Sequence, residues 1–156
     1  MSLRRISLAA AVIVAALNAT PAHAQKAASK LTWGPAPAVL PAGAKMAVVS
    51  GDPMKAGPFV VELEMPAGYK IAPHSHPTDE VVTVKSGHFA YGMGDKANDK
   101  SMKSLASGQH VDLKANMNHY AQAHGHTVVS IASTGPFVIN YVNPADDPSK
   151  MKPKAR

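Results

Sequence analysis

Between Phe59 and Met65 the chain alternates: Val61, Leu63 and Met65 share one parity, Glu62 and Glu64 the other. Successive strand side chains point to opposite faces, so a period of two predicts a half-buried antiparallel strand here. Shorter runs repeat the theme. Ala44 to Ser50 predicts a first strand, and Gly51-Asp52-Pro53 predicts the turn after it. Val81 to Val84 predicts a strand ending at Ser86-Gly87, and His88 to Gly94 another, with glycines where side chains would crowd. Asp95 to Ser104 is charged and polar and predicts a surface loop. Gln109 to Leu113, Thr127 to Ala132 and Phe137 to Val142 are further β-rich runs. No stretch holds a 3.6-residue period and no internal repeat is visible. Many short strands between Gly/Pro turns predict an all-β sandwich or barrel.

The ends read differently. Arg4 and Arg5 precede an apolar run of 12 residues, Ile6 to Leu17, and Ala22-His23-Ala24 has the small-x-small form of a cleavage site. The run is too short to span a bilayer as a helix. Residues 1–24 are therefore expected to be a signal peptide, with Gln25 the first mature residue and the periplasm or the cell exterior as destination. Leu3 to Leu8 faintly resembles a twin-arginine signal, with Ser7 in the usual aromatic place. Residues 25–43 are expected to form an extended arm, 44–142 the domain and 143–156 a tail.

Composition narrows the classes. Without Cys, no disulfide can staple the fold. The net charge of +6 falls to +4 once Arg4 and Arg5 leave, and much of that excess sits at Lys150, Lys152, Lys154 and Arg156. A basic tail of this kind is a solvated end, and no basic stripe interleaved with aromatics points to nucleic acid. No nucleotide-binding loop or Ser/His/Asp arrangement is present, and Gly92-x-Gly94 lacks the third glycine of a dinucleotide fingerprint.

The chemistry concentrates in Gly68 to Gly87, GYKIAPHSHPTDEVVTVKSG. His74 and His76 are two apart and project together from a strand. Pro77 and Thr78 bend the chain and can return Glu80 to the same point. Two imidazoles and a carboxylate suit a borderline divalent ion such as Fe, Mn, Ni or Zn. A bare His-x-His beside a solvated Glu would equally describe an ordinary strand surface. The longer spacing separates the two: Gly68, five residues, His74-x-His76, three residues, Glu80, six residues, Gly87. This resembles the first motif of the cupin superfamily at every position. Downstream, Gly108, five residues, Lys114-Ala115-Asn116, two residues, His119 resembles the second motif, with Lys114 in place of Pro and Asn116 in place of Gly. Asn is the non-glycine residue best suited to a left-handed turn. A further Asn of that motif is Ala123 here.

The resemblance implies a double-stranded β-helix, the cupin or jelly-roll barrel, with a divalent metal held by His74, His76, Glu80 and His119. Four protein ligands would leave up to two positions of an octahedral ion open. His88, Tyr91, Tyr120 and Gln122 are candidate pocket residues. The whole pattern resembles small secreted bacterial single-domain cupins, a group that fixes no reaction: cupins include dioxygenases, isomerases, decarboxylases and plain binders. Two functions stay open, a metal-dependent enzyme acting on a small molecule and a non-catalytic metal- or ligand-binding module. Exposed sheet edges and the family's habit suggest a homodimer. Ordinary imidazoles predict metal release below about pH 6.

Overall fold

The computed structural model describes residues 30–151, so the expected signal peptide and the end of the tail lie outside the described residues. Among the described residues nine strands follow in order: β1 (Gly34–Pro35), β2 (Lys45–Ser50), β3 (Gly57–Met65), β4 (Lys70–Ser75), β5 (Glu80–Met93), β6 (Lys103–Ala106), β7 (His110–Leu113), β8 (His119–Gly135) and β9 (Asn140–Tyr141). Every pairing is antiparallel. The remaining elements are short 3₁₀ turns at Asp99–Ser101, Pro144–Asp146 and Pro148–Lys150.

Two long strands organise the rest. β5 and β8 pair with each other from Glu80↔Ser133 to Met93↔His119, with register shifts near Ser86. The first half of β5 carries β7 on its outer edge, and the second half carries β6. The far edge of β8 pairs with β3 over Thr127 to Gly135 and with β4 over His119 to Gln122. One ribbon thus feeds two sheets, β1-β2-β3-β8-β5-β7 and β9-β4-β8-β5-β6, joined at the register shift.

Gly87 and Gly125 mark the corner, with φ of +80° and +81°. A Cβ on Gly87 would lie 2.4 Å from the His126 carbonyl oxygen and 2.7 Å from Thr127 Oγ1. Only glycine accepts both that conformation and that approach. Thr127, fully buried, donates from Oγ1 to the His88 carbonyl at 3.0 Å and clasps the bend.

The core lies between the sheets. β3 alternates as its sequence predicts, burying Phe59, Val61, Leu63 and Met65 while Glu62 and Glu64 are half-buried on the other face. They meet Val82, Val84, Val129 and Ile131 from the same sheet and Ile71, Phe89, Ala121 and Ala123 from the other. Ala123 is fully buried, and its backbone bonds Tyr69 and Gly68, so no Asn side chain is required there.

Several expectations are corrected. β5 does not end at Ser86-Gly87 but runs through it for 14 residues. β8 begins at His119, eight residues before the expected Thr127, and runs through Gly125. β6 begins inside the expected surface loop, at Lys103. Of the run from Phe137 to Val142 only Asn140–Tyr141 is strand. Among the described residues no helix is long and apolar enough to cross a membrane.

Candidate metal centre

His74 lies near the end of β4, directly opposite His119 at the start of β8. His76 follows β4, and Glu80 opens β5. All four side chains are buried, with exposures of 3–5%. Candidate ligand atoms of the three imidazoles lie within 4.8 Å of one another. Glu80 Oε2 stands 3.4 Å from His76 Nε2 and 3.5 Å from His119 Nε2.

Each ring is oriented from behind by main chain. His74 Nδ1 meets the Ala72 carbonyl at 2.7 Å, His76 Nδ1 the Val138 carbonyl at 2.7 Å, and His119 Nδ1 the Met117 carbonyl at 2.9 Å. A carbonyl oxygen only accepts, so Nδ1 carries the proton in every case. The Nε2 lone pairs are then left free, and they converge with a carboxylate. A neutral His119 in this tautomer has no proton to give Glu80. The cluster is therefore completed either by an added proton or by a cation. Such fixing of the remote nitrogen is how metal-bound histidines are held. The donor set fits a divalent ion.

Burial also keeps His74 and His76 neutral. It pushes His74 down to about 3, aided by the neighbouring His119. His76 is lowered by burial as well, although Glu80 pulls the other way. Burial alone would raise Glu80, but an added proton on the neighbouring imidazoles, His119 first, would outweigh it and hold the carboxyl below its usual range. Metal release expected near pH 6 would move downward, because His74 and His76 resist protonation that an exposed His accepts.

Two further segments support the cluster. Phe137 stacks on His76 with centroids 4.3 Å apart and rings 19° from parallel, and meets Phe59 edge-on at 5.2 Å. Tyr141 tilts against His74 at 5.8 Å. On the other side, Asn116 takes φ +61° and donates its backbone N–H to the His76 carbonyl at 2.7 Å. Asp79 accepts from Lys114 Nζ at 2.8 Å and from the Ala115 N–H at 2.9 Å, tying the loop before His119 to the residue before Glu80. In the sequence Phe137 is only the start of a β-rich run, with nothing to mark it as a partner of His76.

The four other candidates separate. Tyr91 lines a small apolar cavity of about 30 Å³ together with His74, Glu80, His119, Leu63 and Ile131. Tyr120 and Gln122 do not share it, because they have the opposite parity to His119 along β8. Both line an outer groove of about 610 Å³ beside Asp95, Asp99 and Asn143. Tyr120 lies against Gly92, where a Cβ would sit 2.2 Å from its ring, and its hydroxyl donates to the Asn98 carbonyl at 3.2 Å. His88 is exposed at the corner, opposite His124.

In sequence, no protein-family model and no curated protein matches the chain. Solved structures do resemble it. An RmlC-like cupin from Shewanella frigidimarina is 17% identical, covering 59% of this chain and 76% of that one, with a TM-score of 0.50. KdgF from Halomonas sp. is 18% identical over 67% of this chain and 86% of that one, at 0.51. The polyketide cyclase RemF from Streptomyces resistomycificus is 13% identical over 69% and 76%, at 0.56. At these identities the likeness speaks of fold. With the two-sheet ribbon described above, this is the cupin double-stranded β-helix.

Proposed function

We propose that this cupin-fold chain is an exported protein that holds a divalent metal ion through His74, His76, Glu80 and His119 and acts on a small molecule. The observation that carries the reading is the convergence of three Nε2 lone pairs and one carboxylate in a buried pocket, each imidazole fixed through Nδ1. Such a ligand set accepts Fe, Mn, Ni or Zn. When bound, the ion supplies Lewis acidity and open positions for a substrate oxygen, the basis of dioxygenase- or isomerase-type chemistry. The chain's own groups supply the rest. Burial keeps His74 and His76 unprotonated, and Tyr91 presents the one hydroxyl side chain on the small cavity beside the cluster. One structural neighbour is named a polyketide cyclase, so catalysis is a use this fold admits.

The second reading is a periplasmic metal- or ligand-binding module. In its favour, the small cavity is lined by no acid or base beyond the proposed ligands and Tyr91. A homodimer remains part of the proposal.

Elemental analysis of untagged protein should find about one divalent ion per chain, and His119→Ala should lower metal affinity more than about 100-fold, beyond the usual loss on removing a supporting residue. Undiminished stoichiometry in His119→Ala would overturn the ligand set. Protein loaded with Fe(II), Mn(II) or Ni(II) should turn over a small molecule among phenols, diketones and sugars. Tight binding without turnover across all three metals would favour the second reading.

A further inference from the structure

A second cavity adjoins the centre. Its volume is about 290 Å³, and Met46, Phe59 and Val61 wall it on the sheet side, with Leu40, Phe137 and Ile139 among its other walls. Every side chain that lines it is apolar. Leu63 and Ile131 line both this chamber and the small cavity beside His74, Glu80 and His119, so the two share a wall. Phe137 forms part of the chamber with a ring that also stacks on His76. The segment carrying Leu40 is pinned on both sides. The Tyr141 hydroxyl donates to the Val39 carbonyl at 2.8 Å, and the Tyr69 hydroxyl donates to the Pro41 carbonyl. Met54 also lines the chamber and is 76% exposed, which puts it at the opening to solvent.

We propose that this chamber binds the body of an uncharged, compact apolar molecule. The inference rests on the small-molecule reading above for the ligand's purpose, while the chamber's occupancy can be judged without any metal. Size and chemistry set the class. An apolar cavity of about 150 Å³ lined by Leu, Ile and Phe stays dry and takes up benzene. Twice that space suits a molecule of about ten to twelve non-hydrogen atoms, such as a fused bicyclic ring or a branched hydrocarbon skeleton. A charged group inside would lose its hydration with no side-chain partner, so charge is excluded. A polar substituent finds no side-chain partner on any wall, the shared Leu63 and Ile131 wall included, so the bound body is apolar throughout.

The test uses metal-free protein with 13C-labelled methionine methyls and 1-aminonaphthalene, which is neutral at pH 7. Met46 and Met54 should shift saturably, while Met102 and Met151, on the outer groove, stay still. The anionic 1-naphthalenesulfonate should move none of them. Ile139→Trp should weaken binding of the neutral probe at least tenfold. No shift at Met46 up to the probe's solubility limit overturns the proposal, as does equal binding of the sulfonate. Should Ile139→Trp fail to fold, the wild-type shifts decide alone. Metal content, measured separately, judges the centre and leaves this result untouched.

Discussion

At the scale of single residues, the centre is a problem in protonation. His74 and His76 are more easily kept neutral in the folded chain than in the unfolded one, where an imidazole titrates near 6.5. Below that value the unfolded chain binds more protons, so stability must fall as pH falls. The window for His74 runs from about 6.5 down to about 3. Glu80, lowered from 4.5, adds to the same trend at the acid end. Metal-free protein should therefore lose stability steadily from pH 7 to pH 4, by an amount on the order of a few kcal/mol, and its melting temperature should fall with it. A flat thermal-melt profile across that range would contradict the burial of these rings. Reading the sequence reached these four residues through their resemblance to two family motifs, because a motif records which side chains recur and at what interval. It could not reach the pKa shifts, which depend on distant Leu63 and Ile131 excluding water.

At the scale of elements, the corner at Gly87 decides whether two sheets form. Gly87→Ala would place a methyl 2.4 Å from the His126 carbonyl oxygen in a left-handed conformation. The two penalties together should cost about 2–4 kcal/mol. Urea denaturation should register that loss, and an unchanged midpoint would show that the corner yields freely. The same corner explains what pattern reading missed. β3 was legible because one face is dry and the other partly wet, so its sequence alternates. β5 and β8 change sheet midway, and the glycines that permit the bend look like strand ends when read locally. β6 hides because, of its residues Lys103 to Ala106, only Leu105 packs against the core, too little to make an alternating pattern. Asn116 was legible for the opposite reason: few non-glycine residues tolerate its φ.

At the scale of the whole molecule, the arm and the tail belong to the packing as much as to the termini. β1 pairs with β2, the 39–41 segment is held by two tyrosines, and the Val142 N–H donates to the Pro73 carbonyl at 2.9 Å. Asp147, 8% exposed, accepts from Ser149 Oγ at 2.6 Å and closes the described chain. Cleavage after Ala24 would leave every one of these contacts in place. N-terminal sequencing of protein recovered from the periplasm of an expressing bacterium should begin at Gln25. An intact Met1 in the cytoplasmic fraction alone would refute export.

The carbonyls of Ala72, Met117 and Val138 hold the three imidazoles, and a carbonyl is common to all twenty amino acids. Alanine scanning would pass over those positions silently, since truncating the side chain leaves the acceptor where it was. Sequence drift can likewise rewrite them without disturbing the rings. What the centre does depend on is the path of the backbone, so insertions or deletions near residue 138 should be the changes that relatives with an intact centre avoid.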